Sequence, residues 1–538
     1  MKKVNIITQH YKRFLAGFCA AALMVSCTSD FDEINRNPTS LSSLDESQLP
    51  FLFSKALSSG TNSQWNYQVA QNLFSDQYAQ YFACTASSFG SDRLVINQNW
   101  VGAAFNPIYT DVVPQLQTIF EQMDPASPEY AIANIWWVFA FHRVTDYWGP
   151  IPYSQAGISG ETVPYDKQSD IYNDFFTRLA AANATLKATS ATSAYGGSFD
   201  LIYHGDISKW IKFGNTLRLR LAMRISAVDA ARAKTEAEAA VAAGVFTASP
   251  DDDALVDRSV NGGDGNGLSI MQWNEFRMTA SMESVLKGYN DPRMKEYYMP
   301  TKASSDANAA DPSKPLEWNG VRNGLTASQM NIASNLPGNN SQQGPRWTPS
   351  SLGLAGGVSN PLTTRQNVMA TAEAYFLRAE GVMKGWNMGG GTAKQYYEDG
   401  IKHSFLQWGV GDAAAYTQGT SLPVAPGDAL SSPPMTNIPV LFGASAAVQE
   451  EQIATQKWIA LFPDGYEGWA DYRRSHKVKL YPAANSDNPL ITDPSTQWLR
   501  RIPFLVSETQ TNGPAVEQAK TLLGGPDNTQ TPLWWDKN

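Results

Sequence analysis

Tryptophan and tyrosine residues recur in polar, Gly- and Asn-rich segments of this chain, outside the helical repeat of apolar residues. Pyranose rings present apolar C–H faces that stack on aromatic rings, while their hydroxyls need planar polar side chains. This combination predicts one shallow saccharide-binding surface. The candidates are Trp65, Tyr67, Trp100, Trp273, Trp318 and Trp347, with Arg93 and Asn274 as hydrogen-bonding partners. Each aromatic residue is equally well explained as an anchor that holds a loop, and we expect at least two to be anchors.

Residue combinations that carry catalysis are missing from the sequence. The chain has 5 His, none at metal-ligand spacing. It has no His-Glu-x-x-His, Cys-x-x-Cys, Gly-x-Ser-x-Gly or phosphate-loop motif. We therefore predict no catalytic residues and no enzymatic activity. A carboxylate pair that meets in space, as in a glycosidase, stays open because the chain has 50 acidic residues.

Two acidic segments, residues 251–253 and 264–267, offer oxygen ligands of the kind that Ca²⁺ prefers. Their spacing does not match an EF-hand loop. We therefore favour solvated loops, with no metal ligand and no cofactor, and keep Ca²⁺ as the alternative.

Net charge and cysteine count argue against a nucleic-acid partner and against an internal disulfide. A formal net charge of -9 argues against a nucleic-acid partner, because phosphate binding needs a basic surface. Of the 3 Cys, only Cys84 lies beyond the N-terminal segment, so we expect no internal disulfide. Residues 78–84 have the pattern of one apolar helix face. This pattern favours Cys84 as a small buried hydrophobic residue over a catalytic thiol.

The N-terminal segment has the layout of an export signal. Basic residues precede an apolar run, residues 15–25, which is followed by Ser26 and Cys27. We interpret residues 1–26 as a signal peptide and Cys27 as an acylated residue that anchors the domain 27–538 to a membrane. Acidic residues at positions 30, 32 and 33 resemble a tag for the outer face of the cell. The alternative is an ordinary signal peptide in which Cys27 is incidental.

Helical periodicity predicts a mostly α protein. Residues 206–226 with 230–243, and 366–384 with 392–408, form pairs similar to tetratricopeptide units. A further helix is predicted over residues 66–82. The long polar stretches near 250–274, 302–357 and 411–437 interrupt the pairs, and loops of this length usually serve function. The helix pairs therefore predict a scaffold, and the loops predict the binding part.

Six motifs together carry a family resemblance. They are Cys27-Thr-Ser-Asp-Phe-Asp-Glu-Ile-Asn-Arg-Asn-Pro38, Arg143-Val-Thr-Asp-Tyr-Trp-Gly-Pro-Ile-Pro-Tyr-Ser154, Tyr165-Asp166 with Ile171-Tyr172, Trp210-Ile-Lys-Phe-Gly-Asn-Thr-Leu-Arg-Leu-Arg-Leu-Ala-Met-Arg-Ile225, Glu373-Ala-Tyr-Phe-Leu-Arg-Ala-Glu380, and Gln456-Lys-Trp-Ile-Ala-Leu-Phe462 with Trp469-Ala-Asp-Tyr-Arg-Arg474. In this order they resemble the SusD/RagB family of nutrient-binding outer-membrane lipoproteins, in the branch with the Asp-Tyr-Trp-Gly-Pro-Ile-Pro-Tyr signature.

The resemblance implies a fold of four tetratricopeptide-like helix pairs plus an irregular part that carries the ligand site. It also implies a place on the outer membrane, as a lid over a SusC-like TonB-dependent β-barrel transporter. Such lids capture glycans, or in some cases peptides, without chemistry on the ligand. A peptide-binding lid, a purely structural lid and a glycoside hydrolase-like surface enzyme are the alternatives.

Two of these motifs have a structural interpretation. The corner around Asp146 predicts tight packing, with Asp146 paired to Arg143 or Arg178, in preference to a sugar platform made by Tyr147 and Trp148. The segment from Trp469 to Arg474 predicts a buried or half-buried Arg–Asp pair that fixes a turn, in preference to a carboxylate/guanidinium site.

Overall fold

The computed structural model describes residues 46–158, 162–354 and 356–537. The chain divides into two units, Met1–Leu49 and Pro50–Asn538. Of the first unit, only residues 46–49 are described, so the predicted signal peptide and Cys27 lie outside the described residues.

The fold is built mainly from helices, as the sequence predicts. The longer helices are α1 (Leu49–Ser59), α2 (Val113–Gln122), α3 (Pro128–Trp148), α4 (Gln168–Ala188), α5 (Ile207–Arg224), α6 (Ala230–Ala243), α7 (Ala280–Gly288), α8 (Lys302–Ala310), α9 (Thr371–Met383), α10 (Ala393–Trp408), α11 (Ala446–Leu461), α12 (Gly465–Ser475) and α13 (Gly513–Lys520). Short α-helices are Gln64–Tyr67, Gln98–Val101, Met294–Tyr297, Ala327–Met330, Ala414–Thr417 and Val506–Thr511, and π-helices are Gln68–Asp76 and Ile108–Val112.

Local chemistry sets many of the helix ends. Asp206 accepts hydrogen bonds from the first backbone N–H groups of α5, and Thr392 forms a capping box with Gln395 at the start of α10. Helix α10 ends at Gly409, which has a φ of 69°, a conformation that glycine adopts without strain. The predicted bounds of both helices hold to within two residues.

The helices pack in successive pairs. Contacts join α3 to α4, α5 to α6, α9 to α10 and α11 to α12, and further contacts join α4 to α5, α5 to α9 and α9 to α11. The pairs α5–α6 and α9–α10 are those predicted from periodicity. Within the described residues, no helix combines the length and the apolarity that crossing a bilayer requires.

Two small antiparallel sheets correct the sequence prediction. Strand β1 (Phe82–Cys84) pairs with β3 (Phe276–Met278), and β2 (Ala254–Val256) pairs with β4 (Gln366–Met369). The predicted helix 66–82 is therefore wrong at its end, and the predicted helix 366–384 begins with a strand. Every residue of β1 is buried, so its apolar run does not alternate with polar residues. Hydrophobic periodicity therefore cannot distinguish this strand from a buried helix. Cys84 is buried as predicted, and burial raises the pKa of its thiol.

The predicted insertions contain short ordered elements. Helix α8 lies in the stretch 302–357, and Thr326 forms a capping box with Gln329 at the start of the helix Ala327–Met330. Asn side chains then hold the following turns, as in the bond from Asn340 Nδ2 to the Ser334 carbonyl at 2.8 Å. Side-chain-to-backbone bonds of this kind replace regular ladders in Asn- and Ser-rich segments.

The corner around Asp146 is tightly packed, but its predicted ion pairs are wrong. Asp146 accepts hydrogen bonds from Tyr172 at 2.6 Å and from the Trp535 indole at 2.8 Å. Its ion-pair partner is Arg224, at 3.2 Å. The predicted partners lie elsewhere, since Arg178 pairs with Asp174 and Arg143 stacks on Tyr466. Tyr147 and Trp148 are buried.

The segment from Trp469 to Arg474 contains the predicted Arg–Asp pair, but both residues lie within α12, so the prediction that the pair fixes a turn is wrong. Asp471 forms ion pairs with Arg474 at 2.7 Å and with Lys457 at 2.8 Å. Arg474 also reaches Glu380 of α9 at 2.6 Å. These contacts join α9, α11 and α12.

Candidate functional site

Two exposed indoles lie against each other on the surface. Trp65 belongs to the helix Gln64–Tyr67, and Trp273 ends the 3-10 helix Gly267–Trp273. Their ring centroids are 5.4 Å apart, with the planes inclined by 31°. Trp65 is 60% exposed and Trp273 is 42% exposed. Paired apolar rings this open to water are typical of a binding surface.

Packing beneath this tryptophan pair explains why Trp65 points outward. Tyr67 is buried, and its hydroxyl donates a hydrogen bond of 2.5 Å to Asp76. Residues two apart on a helix lie roughly 200° apart around its axis, so burial of Tyr67 leaves Trp65 on the open side. A Cβ on Gly267 would lie 2.2 Å from the Cβ of Tyr67, so glycine lets the two segments meet.

Polar side chains flank the tryptophan pair. Asn66 and Asn274 follow the two indoles in the chain and are exposed. Gln68 donates a hydrogen bond of 2.7 Å to Glu275, and burial raises the pKa of that carboxyl group. Amides and a carboxylate beside an aromatic platform offer both donors and acceptors to saccharide hydroxyls. We call this surface, made of Trp65, Asn66, Gln68, Trp273, Asn274 and Glu275, the tryptophan surface.

The tryptophan surface contains three of the residues predicted from sequence, namely Trp65, Trp273 and Asn274. The Asn274 side chain accepts a hydrogen bond from Arg277, and its backbone has a φ of 72°. Sequence reasoning missed the Gln68–Glu275 pair. The signal available was proximity, because Gln68 and Glu275 come three and two residues after the two tryptophans.

Tyr67 and Trp347 do not lie on this surface, which corrects the prediction for both. Both are buried. The Trp347 ring packs edge-on against Trp408 and Phe462, with centroid distances of 5.9 and 6.1 Å. Both residues line a partly open cavity instead.

Trp100, Trp318 and Arg93 have the contacts expected of loop anchors. The half-buried Trp100 packs against Phe89 in an edge-to-face arrangement, with ring centroids 5.5 Å apart. The Trp318 indole donates a hydrogen bond of 3.0 Å to the Tyr298 carbonyl. Arg93 forms an ion pair with Asp487 at 2.5 Å. Within the described part of the chain, no ring contact joins Trp100 or Trp318 to the tryptophan pair.

The Asp side chains of the segments considered for Ca²⁺ accept hydrogen bonds from other groups of the protein. Asp252 accepts from Lys212 at 2.7 Å, Asp253 accepts from the Thr371 amide at 2.7 Å, and Asp264 accepts from Arg258 at 2.9 Å. Across residues 46–158, 162–354 and 356–537, no three His, Cys, Asp or Glu side chains are grouped so as to hold a metal ion.

Comparison with known proteins identifies the family to which this chain is similar. The family model "SusD-like: Susd and RagB outer membrane lipoprotein" matches residues 45–536. Among curated proteins, no sequence matches the chain.

Solved structures of similar proteins cover almost the whole chain. A chitin-binding SusD homologue from Flavobacterium johnsoniae is 35% identical, with a TM-score of 0.80, over 92% of this chain and 99% of its own. A SusD homologue from Bacteroides vulgatus is 31% identical, with a TM-score of 0.76, over 88% and 93%. A further chitin-binding protein is 29% identical, with a TM-score of 0.73, over 91% and 100%.

Proposed function

The chain belongs to the SusD-like family of outer membrane lipoproteins, and from this premise we propose that it captures oligosaccharides at the cell surface without cleaving them. The observation that carries the proposal is the tryptophan surface, where two exposed indoles are flanked by amides and a carboxylate. Stacking on the rings provides affinity, and the polar groups read the hydroxyl and acetamide substituents.

Oligosaccharides of β-1,4-linked N-acetylglucosamine are the ligand that we propose. Two similar proteins of known structure bind chitin, and one of them is 35% identical over nearly the whole chain. The apolar faces and acetamide groups of this polymer suit indole rings beside Asn66, Asn274 and Gln68. The platform is exposed and shallow, so it suits an internal stretch of an extended chain.

Delivery to a transporter is the second part of the proposal. Acylated Cys27 anchors the protein to the outer membrane, facing outward, and the folded part acts as a lid on a SusC-like TonB-dependent β-barrel. Tagged protein purified from its native membrane in mild detergent should bring down a large β-barrel protein. Recovery of the lipoprotein alone would contradict this part.

Calorimetric titration tests the ligand. Chitin oligosaccharides should bind, while cello-oligosaccharides of the same length, which lack the acetamide groups, should bind more weakly. The double variant Trp65→Ala/Trp273→Ala should lose binding. Phe51→Ala provides a matched control, because Phe51 and Trp65 are both 60% exposed. Unchanged affinity in the double variant would exclude the tryptophan surface as the oligosaccharide-binding site.

Incubation with the same oligosaccharides separates a binding protein from an enzyme. We expect no new reducing ends, even at high protein concentration. Release of shorter sugars would favour a glycoside hydrolase-like activity. A preference for peptides over every glycan in a mixed panel would favour the peptide-binding alternative.

A further inference from the structure

A partly open cavity lies beneath the loops, and none of its lining residues belongs to the tryptophan surface. Its volume is about 280 Å³, close to the lower limit of about 300 Å³ for small-molecule pockets. The walls come from β4 and the residues before it, the end of α10, the turn Pro345–Trp347 and Arg143 of α3. Its apolar part includes Phe139, Leu255 and Leu268.

Three guanidinium groups line this cavity against one carboxylate. Arg143, Arg346 and Arg365 are the cationic lining residues, and Asp464 is the acidic one among the described residues. Arg346 pairs with Glu296 at 3.2 Å and Arg365 pairs with Asp257 at 2.6 Å, through acids that do not line the cavity.

Arg143 has no carboxylate partner within ion-pair distance in the described chain. It donates hydrogen bonds to the Gly60 carbonyl at 2.9 Å and to Gln71 Oε1 at 3.4 Å, and its guanidinium carbon lies 3.9 Å from the centre of the Tyr466 ring. Since each guanidinium carries five N–H donors, the three arginines keep donors beyond those that the protein uses.

Two indole N–H groups add to this excess of donors. Trp347 and Trp408 line the cavity and are both 4% exposed. The Nε1 atom of each is buried without a hydrogen-bond partner among the described residues. A buried, unsatisfied donor is unfavourable, and a bound acceptor would satisfy it. The cavity therefore has three guanidinium groups, unused donors and aromatic walls.

We propose that this cavity is a second binding site, which takes a small organic carboxylate. The carboxylate accepts hydrogen bonds from the arginines, and the apolar part of the molecule packs against the indole rings and the aliphatic wall. Planar carboxylates match the fork of a guanidinium group, which provides orientation as well as charge. This site shares no residue with the proposed oligosaccharide surface and binds a different class of molecule.

Paired probes of equal shape test the proposal on the full-length folded protein. Benzoate carries the carboxylate, and benzamide is its neutral counterpart. Calorimetry should detect benzoate and should find benzamide at least about tenfold weaker, as expected for the loss of charge-assisted hydrogen bonds. Trp65→Ala/Trp273→Ala should bind benzoate like the wild type, so failure of the oligosaccharide proposal would leave this result unchanged.

Arginine variants locate the site. Arg346→Gln and Arg365→Gln should each weaken benzoate binding roughly tenfold. Arg232→Gln is the matched control, because the Arg232 and Arg346 side chains are 37% and 39% exposed and both pair with a glutamate. Equal binding of benzoate and benzamide, no binding of benzoate, or wild-type affinity in both folded variants would overturn the proposal.

Discussion

Arg224 of α5 and Glu467 of α12 form a buried ion pair, in which Nη2 and Oε2 are 2.5 Å apart and the side chains are 1% and 4% exposed. The same Arg224 reaches Asp146 of α3 at 3.2 Å. One turn earlier, Arg220 pairs with Glu373 of α9 at 2.5 Å and lies 3.5 Å from Glu467. Four helices therefore meet through residues that come from distant sequence motifs.

Removal of Arg224 should destabilise the protein strongly. Arg224→Met leaves Glu467 and Asp146 buried without this cation, and breaking a buried pair costs about 3–5 kcal/mol. Lys234→Met is the control, since Lys234 pairs with Glu238 on the exposed face of α6 and such pairs contribute about 0–1 kcal/mol. Urea unfolding measures both. Similar losses for the two variants would contradict the importance of the buried network.

Gly465 should not tolerate a methyl group. A Cβ at this first residue of α12 would lie 2.0 Å from Oδ1 and 2.7 Å from the backbone of Asp76. Gly465→Ala should therefore cost about 1–3 kcal/mol of unfolding free energy, as overpacking does. Gly513 also begins a helix, but a Cβ there meets nothing within 4 Å. Gly513→Ala should be neutral or slightly stabilising, and equal losses would contradict the close approach of α12 to Asp76.

Asp76 should make stability depend on pH. Burial raises the pKa of Asp76 from 3.8 to about 7, against hydrogen bonds from Tyr67 and Gln71 that lower it. Between these values the native state binds more protons than the unfolded state, so this group's stabilising contribution is complete below about pH 4 and is lost as the pH rises through about 7.

The variant Asp76→Asn lacks this titration. The unfolding free energy of the variant minus that of the wild type should therefore increase from about pH 4 to about pH 8. Chemical denaturation across this range measures the difference, in which the other titrating groups cancel. A difference that stays flat, or one that falls, would contradict the raised pKa.

Single tryptophan variants should separate the ligand surface from the core. Trp65→Ala and Trp273→Ala should each weaken chitin-oligosaccharide binding by ~1–3 kcal/mol, as aromatic stacking residues do, with little change in melting temperature. Trp347→Ala should instead lower the unfolding free energy by about 3–5 kcal/mol, because Trp347 is buried against Trp408 and Phe462. Loss of stability in all three variants, without loss of affinity, would place the ligand elsewhere.

Cys27 should determine where the protein is found in the cell. Cys27→Ala removes the predicted attachment site of the acyl chains, and stable anchoring needs more than one lipid chain or a second signal. The variant should leave the outer-membrane pellet, while wild-type protein stays in it, as fractionation and immunoblotting would report. A variant that still pellets with the outer membrane, in the absence of its transporter, would contradict the lipid anchor.

Local patterns in the sequence predicted much of the scaffold. Apolar periodicity depends only on neighbouring residues, so it locates α5, α6 and α10 without any tertiary information. The strands β1 and β4 were missed, because each exists only through pairing with a segment more than a hundred residues away.

The tryptophan surface likewise combines a local signal with a long-range contact. The polar segments around Trp65 and Trp273 identified both residues as candidates, but only the fold brings the two rings together. Composition also cannot separate an exposed indole from a buried one: Trp347 follows Arg346 in an equally polar stretch and lies in the core. The sequence by itself determined the family resemblance and the positions of the periodic helices, because both depend on residues that are close in the chain. Tertiary packing decided which aromatic rings face water.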